Sequence, residues 1–219
     1  FFFYTPIRDV ITHPYHQAMQ ALGKKTDSEL IISGVGGPIL LQLKLCGLAG
    51  LLIASPWWLA EIWGFVLPAL HKNERKWSYV FAAIAGPLFL FGVFVGYMTM
   101  PKALQVLIGF TPEYVKSLVD FNEYFSFFTR TLIVFGVSFE IPVFVVLLSL
   151  AGILSGRQLK QYRAWIILAV FVFAAVATPS TDPFSMLFLA IPMVILMMAS
   201  EVIARLIDRR RGSRRDLNP

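Results

Sequence analysis

The sequence has little of what a soluble enzyme needs. It holds a single cysteine, Cys46, in 219 residues, which excludes an internal disulfide. Its three histidines, His13, His16 and His71, all lie outside the long apolar stretches, so no His/Cys set with metal-ligand spacing is visible. Without a histidine in those stretches, a nucleophile there has no neighbouring imidazole base. Paired-carboxylate chemistry needs two acids together, and the apolar stretches offer no Asp pair, only Asp182 at a turn. No glycine-rich phosphate loop occurs. The expectation is a protein without catalytic residues, metal or cofactor. Charge is scarce as well. Asp, Glu, Lys and Arg make up 15% of the chain, against about a quarter in an ordinary soluble domain.

Apolar residues supply 57% of the chain and come in blocks. Residues 77–101, 164–181 and 183–200 carry no charge, 39–60 carry only Lys44, and 131–154 carry only Glu140. A membrane-crossing helix needs about 20 apolar residues. The blocks lack the apolar/polar alternation of barrel strands, and backbone groups in lipid must be satisfied internally. The expected fold is therefore an all-α polytopic membrane protein, one membrane domain over 1–219. Its spans are 39–70, 78–100, 122–153, 164–178 and 183–203.

The net charge of +6 suggests nucleic acid until its distribution is read. Loop 71–77 carries +2, loop 154–163 carries +3 and the segment 203–219 carries +4, whereas 5–37, 98–123 and 179–183 carry 0, −1 and −1. Positive loops alternating with neutral or negative ones predict a cytoplasmic position for the first set. No nucleic-acid partner is expected. The basic tail 204–219 is expected in the cytoplasm, where its RRRGSRR run (209–215) can touch acidic lipid. With 5–37 outside as a cap, residues 1–4 (FFFY) read as the outer end of an earlier span. That gives six spans with both termini cytoplasmic; a cleaved signal peptide is the competing reading.

Within this frame, Thr5-Pro6 and His13-Pro14 are expected to bend the cap. HQAMQAL (16–22) is expected as a surface helix. A separate short helix is expected near 102–110, and Trp57, Trp58 and Trp63 read first as interface anchors. Pro56, Pro68, Pro87, Pro101, Pro142 and Pro192 lie in or at the ends of the spans and predict kinked helices. Lys44 and Arg130 are expected to snorkel outward.

Two acids stand out. Glu140 sits in FGVSFEIPV, where Pro142 cannot donate to the carbonyl of Ser138. A charge at mid-bilayer costs about 2.5–3.5 kcal/mol on insertion scales, so Glu140 is expected to face a polar cavity, a partner helix or a proton supply. Arg130 lies about 15 Å away along the helix axis and cannot pair with it. Glu61 is the second acid, close enough to the cytoplasmic interface to snorkel or to act. Glu74, in HKNERKW, reads by itself as an ordinary exposed charge.

Several segments together resemble one family. They are FVLPALHKNERK (65–76), FGVSFEIPV (135–143) and TPSTDPFSMLFLAIPM (178–193), with SPWWLAEIWGF (55–65), GYMTMP (96–101) and LKQYR (159–163) in agreement. In this order they are similar to TatC, the multispanning receptor subunit of the twin-arginine protein translocase. The resemblance implies a six-helix, kinked, glove-shaped bundle with a concave face, its first span largely outside this chain, in the bacterial cytoplasmic membrane. It implies binding of twin-arginine signal peptides of folded precursors at the cytoplasmic face. Glu74 matches the family's loop glutamate, with Phe65, Pro68, Leu70 and Arg75 around it. Glu140, with Glu61, is implied as the intramembrane functional acid. Pro14, Tyr97 and Pro101 match positions in the cap and outer span. TatA- and TatB-type single-span subunits, lipid and self-association are the implied partners. The last hairpin is the implied contact, with Thr178, Asp182 and Ser185, and Met186 where some members carry an amide. Transport would draw on the proton gradient. The alternative is a proton-coupled transporter of small solutes relaying through Glu140, which usually shows paired repeats; the sequence shows none.

Overall fold

The structure, a computed structural model, describes residues 4–23, 31–32, 36–70, 75–110, 119–150, 152–178 and 183–215. Among these, eight helices follow in order: α1 (Tyr4–Ala21), α2 (Gly37–Ile53), α3 (Ser55–Leu70), α4 (Arg75–Gly109), α5 (Phe121–Leu150), α6 (Gly156–Gln161), α7 (Arg163–Ala177) and α8 (Pro183–Arg215). The sole β feature described is a parallel bridge between Ile31 and Asp120. Three segments are long and apolar enough to cross a membrane: Ala83–Gly109, Phe121–Leu150 and Pro183–Arg209. The 15 residues of α7 are shorter and extend only about 22 Å at helical rise.

The block 39–70 is not one helix. It divides at Ala54, with Gly37–Ile53 and Ser55–Phe65 bent by 56°. Pro56 has no N–H for the carbonyl of Leu52, and Ser55 Oγ donates to that oxygen instead, at 2.7 Å. Trp58 Nε1 donates to the carbonyl of Leu51 at 3.2 Å. Side chains thus satisfy acceptors that a break within lipid would otherwise strand. At Pro101 the opposite happens. The separate outer helix expected at 102–110 is the end of α4, which runs through Pro87 and Pro101 without interruption. Likewise α8 does not stop at residue 203 but continues to Arg215, so the basic tail starts as an extension of the last span.

The core of the bundle is the pair α4 and α5, which pack most extensively on each other. Glycine permits the approach. A Cβ on Gly92 would lie 2.7 Å from the carbonyl oxygen of Phe135 and 3.0 Å from Cα of Gly136, while one on Gly136 would lie 2.6 Å from the Phe89 ring. Gly92 and Gly96 stand four residues apart, the small-xxx-small spacing by which membrane helices pack backbone to backbone. Around this pair lie three apolar clusters. One joins α1, α2, α4 and α5 under the cap. A second joins α3 to α4 and α5 through Leu59, Trp63, Phe89 and Leu147. The third seats α7 and α8 on Phe135 and Phe139.

Candidate functional site

At the cap end, α1 is fastened by the group its proline leaves free. Pro14 lies inside α1 rather than ending it, and it is among the most deeply buried residues. Lacking an N–H, it cannot bond the carbonyl of Val10. Tyr97 of α4 donates its hydroxyl to that carbonyl at 2.9 Å, and Tyr124 of α5 donates to the next, Ile11. The rings continue the contact, Tyr15 edge-on to Tyr124 and Tyr97 edge-on to Phe128. Pro14 and Tyr97, matched separately in the sequence, are therefore two halves of one contact. Lys44 also stays within the protein, with Nζ 3.4 Å from Asn122 Oδ1.

In the middle of the bundle, α3 and α5 bring Trp63 and Glu140 together. Indole Nε1 donates to Glu140 Oε2 at 3.2 Å, and Phe144 packs against the same indole with ring centroids 6.2 Å apart. Trp63 is buried, so it is not the interface anchor that its position suggested. The other carboxyl oxygen of Glu140, Oε1, is buried with no hydrogen-bond partner. One oxygen is held and the other is open to a donor, an arrangement suited to a group that meets a polar atom on another helix. Glu61, two residues before Trp63, is exposed on the other side of α3 and does not join this site. Ser138 donates to the carbonyl of Val134 rather than to Glu140.

The foot of the bundle, where α6, α7 and α8 meet, carries a group absent from the sequence reading. Glu201 of α8 is buried, with 6% of its side chain exposed, and lies 2.8 Å from Arg163. Arg163 grips it in a fork, Nε to Oε2 at 2.9 Å and Nη2 to Oε1 at 2.8 Å. Arg205, one turn along α8, donates to the same Oε1. Close by, the N–H of Gly156 donates to Asp208 Oδ2 at 2.7 Å, and a Cβ on Gly156 would lie 2.6 Å from the backbone nitrogen of Arg205. In the sequence it is a lone Glu just past an apolar block, inside the expected span 183–203, and nothing local marks its partners.

Phe65 is 85% exposed on the last described face of α3. Pro68 and Leu70 continue α3, and Arg75 begins α4; their side chains lie outside the described residues. Glu74 and Asp182 lie outside them altogether. In the last hairpin Thr178 and Ser185 are buried, Thr178 donating to the carbonyl of Ala174 at 2.9 Å, and Met186 is half-buried against the α7–α8 cluster. The two hydroxyls are thus buried rather than presented on the outer surface. Among the described residues no three His, Cys, Asp or Glu side chains come together as a metal site.

Kinked apolar helices, a cap stitched to them and a carboxylate held by an indole between them define a polytopic helical membrane protein with a polar point at its centre. The profile of the family described as Sec-independent protein translocase protein (TatC) matches residues 1–192. The chain belongs to the TatC family. It is 41% identical over 193 residues to a TatC of Frankia casuarinae, covering 88% of this chain and 53% of that protein. It is 35% identical over 211 residues to a TatC of Xylanimonas cellulosilytica, covering 96% and 76%. A crystal structure of the twin-arginine translocase receptor TatC in DDM superimposes with a TM-score of 0.72 at 27% identity, over 93% of this chain and 88% of the other. The chain spans about half the length of the first two curated relatives it matches, the Frankia protein and one from Corynebacterium kroppenstedtii.

Proposed function

We propose that this chain is the signal-reading part of a twin-arginine protein translocase, acting by binding and assembly rather than by catalysis. The family match over residues 1–192 carries this reading. Glu74, with Phe65, Pro68, Leu70 and Arg75 beside it, receives the paired arginines of a precursor's signal peptide at the cytoplasmic face. A planar guanidinium bonds a carboxylate through two parallel N–H groups, which an ammonium does not reproduce. The fork between Arg163 and Glu201 within this protein illustrates the geometry. The loops 71–77 and 154–163 and the basic tail 204–219 lie in the cytoplasm of a bacterial cell, by the distribution of positive charge. TatA- and TatB-type subunits, and further copies of the chain, pack on its lipid-facing helices, and the proton gradient drives transport.

The test is photo-crosslinking from residues 65–76 to a signal peptide bearing Arg-Arg, beside one bearing Lys-Lys. Labelling by the Arg-Arg peptide should exceed that by the Lys-Lys peptide by about tenfold, the equivalent of about 1.4 kcal/mol. Equal labelling would sink the proposal.

In the same frame Glu140 is the polar stop against which the signal's apolar segment or a partner helix comes to rest. Glu140→Gln keeps an acceptor for Trp63, so it should leave the thermal stability of the purified protein nearly unchanged while lowering export in a transport assay. Glu140→Ala strands the buried indole N–H, a loss of about 1–3 kcal/mol, and should lower both. Normal export from both variants would remove Glu140 from the mechanism.

A further inference from the structure

We propose that the foot of the bundle is a binding site for one anionic phospholipid, its phosphate on Arg163 and Arg205 and an acyl chain along the seam between α7 and α8. Four observations carry it. First, the ion cluster is unbalanced: two guanidiniums share the single carboxylate of Glu201. Arg163 spends two of its five N–H donors on Glu201, and the side chains of Arg163 and Arg205 remain 42% and 37% exposed. Buried Glu201 positions both heads without cancelling them, which is how a receptor for an outside anion is held ready.

Second, the cluster sits at the head of an apolar crevice lined by Ile166, Val170, Val194 and Met198. Its free space is only about 20 Å³, room for little more than a water molecule, so the acyl chain lies over this apolar seam rather than inside it. Third, the depth is right. Tyr162 and Trp165 flank Arg163 and are exposed, as aromatic side chains are where hydrocarbon gives way to headgroups. Fourth, the surrounding charge has the matching sign. Arg157, Lys160 and Arg209 accompany the two arginines, while the acids beside them, Glu201 and Asp208, are engaged inside the protein. Basic niches between membrane helices with an adjoining apolar cleft bind anionic headgroups in this manner.

The site also has a mechanical context. The Gly156 N–H bonds Asp208, and its Cα packs against Arg205 too closely for a side chain. Loop helix α6 and the extension of α8 are thereby fixed around the phosphate position. The proposal is independent of signal-peptide binding, and in a symmetric bilayer it is independent of orientation.

The experiment is native mass spectrometry of the delipidated full-length protein, titrated with dioleoylphosphatidylglycerol or dioleoylphosphatidylcholine. The anionic lipid should be retained about tenfold more strongly. Arg163→Gln should bring the two lipids close to parity, and Arg163→Lys should keep part of the preference. The triple variant R163Q/R205Q/E201Q removes every charge of the cluster, so no carboxylate is stranded and folding is protected; it too should lose the preference. Met198→Trp, which sets an indole across the exposed edge of the seam, should weaken retention of the lipid by several-fold without touching a charge. Lys44→Gln, at the opposite end of the bundle, should change nothing. Equal retention of both lipids by the unaltered protein would overturn the site. So would a preference that survives both Arg163→Gln and the triple variant, or complete displacement by an equal concentration of inorganic phosphate, which would show that the acyl chain contributes nothing.

Discussion

Glu74→Lys is expected to reduce binding of an Arg-Arg signal peptide by about 100-fold or more, measured with the full-length protein in detergent or nanodiscs. A charge-assisted hydrogen bond contributes about 1.5–3 kcal/mol, and reversal replaces that attraction by repulsion between like charges at the same place. Tenfold corresponds to about 1.4 kcal/mol, so the loss of the bond accounts for most of the effect before repulsion is added. The series around it separates charge from shape. Glu74→Gln keeps an acceptor oxygen but not the charge and should lose roughly tenfold. Glu74→Asp keeps both on a shorter stem and should lose less. Because the proposed interaction pairs opposite charges, raising salt should weaken binding by the unaltered protein and leave the lysine variant almost insensitive. Undiminished binding by Glu74→Lys would end the assignment of the signal site to this loop.

Gly92→Leu is expected to be the most destabilising single change in the described part of the bundle. At this position a side chain would meet the carbonyl of Phe135 and Cα of Gly136. Both are backbone atoms, so no rotamer change relieves the clash, and α4 must move off α5. Overpacking a tight interior costs about 1–3 kcal/mol where side chains can shift; here about 3 kcal/mol or more is expected, or a fall of roughly 10 °C in Tm. Gly47→Leu is the matched control. A Cβ there meets nothing within 4 Å, so the same residue added to an open face of α2 should change Tm by no more than a degree or two. Similar losses from both would mean that the α4–α5 approach is not what holds the bundle.

The two cases differ in how far the sequence by itself was legible. Glu74 is proposed from a local string, HKNERKW within its family pattern, since a short run of residue types is read without the fold. Gly92 and Gly96 went unread although their spacing was in plain view. A glycine pair in an apolar block has meaning only when it is known which helix lies against it. Pro14 and Tyr97 were each matched alone, and their relation, a hydroxyl taking the carbonyl that the proline leaves free, spans 87 positions of the chain. Trp63 was read as an anchor because tryptophans gather at interfaces. Its burial on Glu140 depends on the rotation of α3 about its axis after the break at Ala54, and the broad apolar surface of α3 leaves that rotation unspecified. Glu201 went unread because its partner Arg163 lies 38 residues earlier.

The sequence alone determined the class of the protein and the alternation of its charged loops, since the transfer of apolar and charged groups between water and lipid depends on residue type and little on neighbours. Tertiary structure decided which polar groups face one another: Trp63 with Glu140, Tyr97 with Val10, and Arg163 and Arg205 with Glu201. Inside a bilayer an unpaired polar group has no water to fall back on. Its partner is therefore whatever the packing of distant helices brings within about 3 Å, and that separation is a property of the assembled bundle.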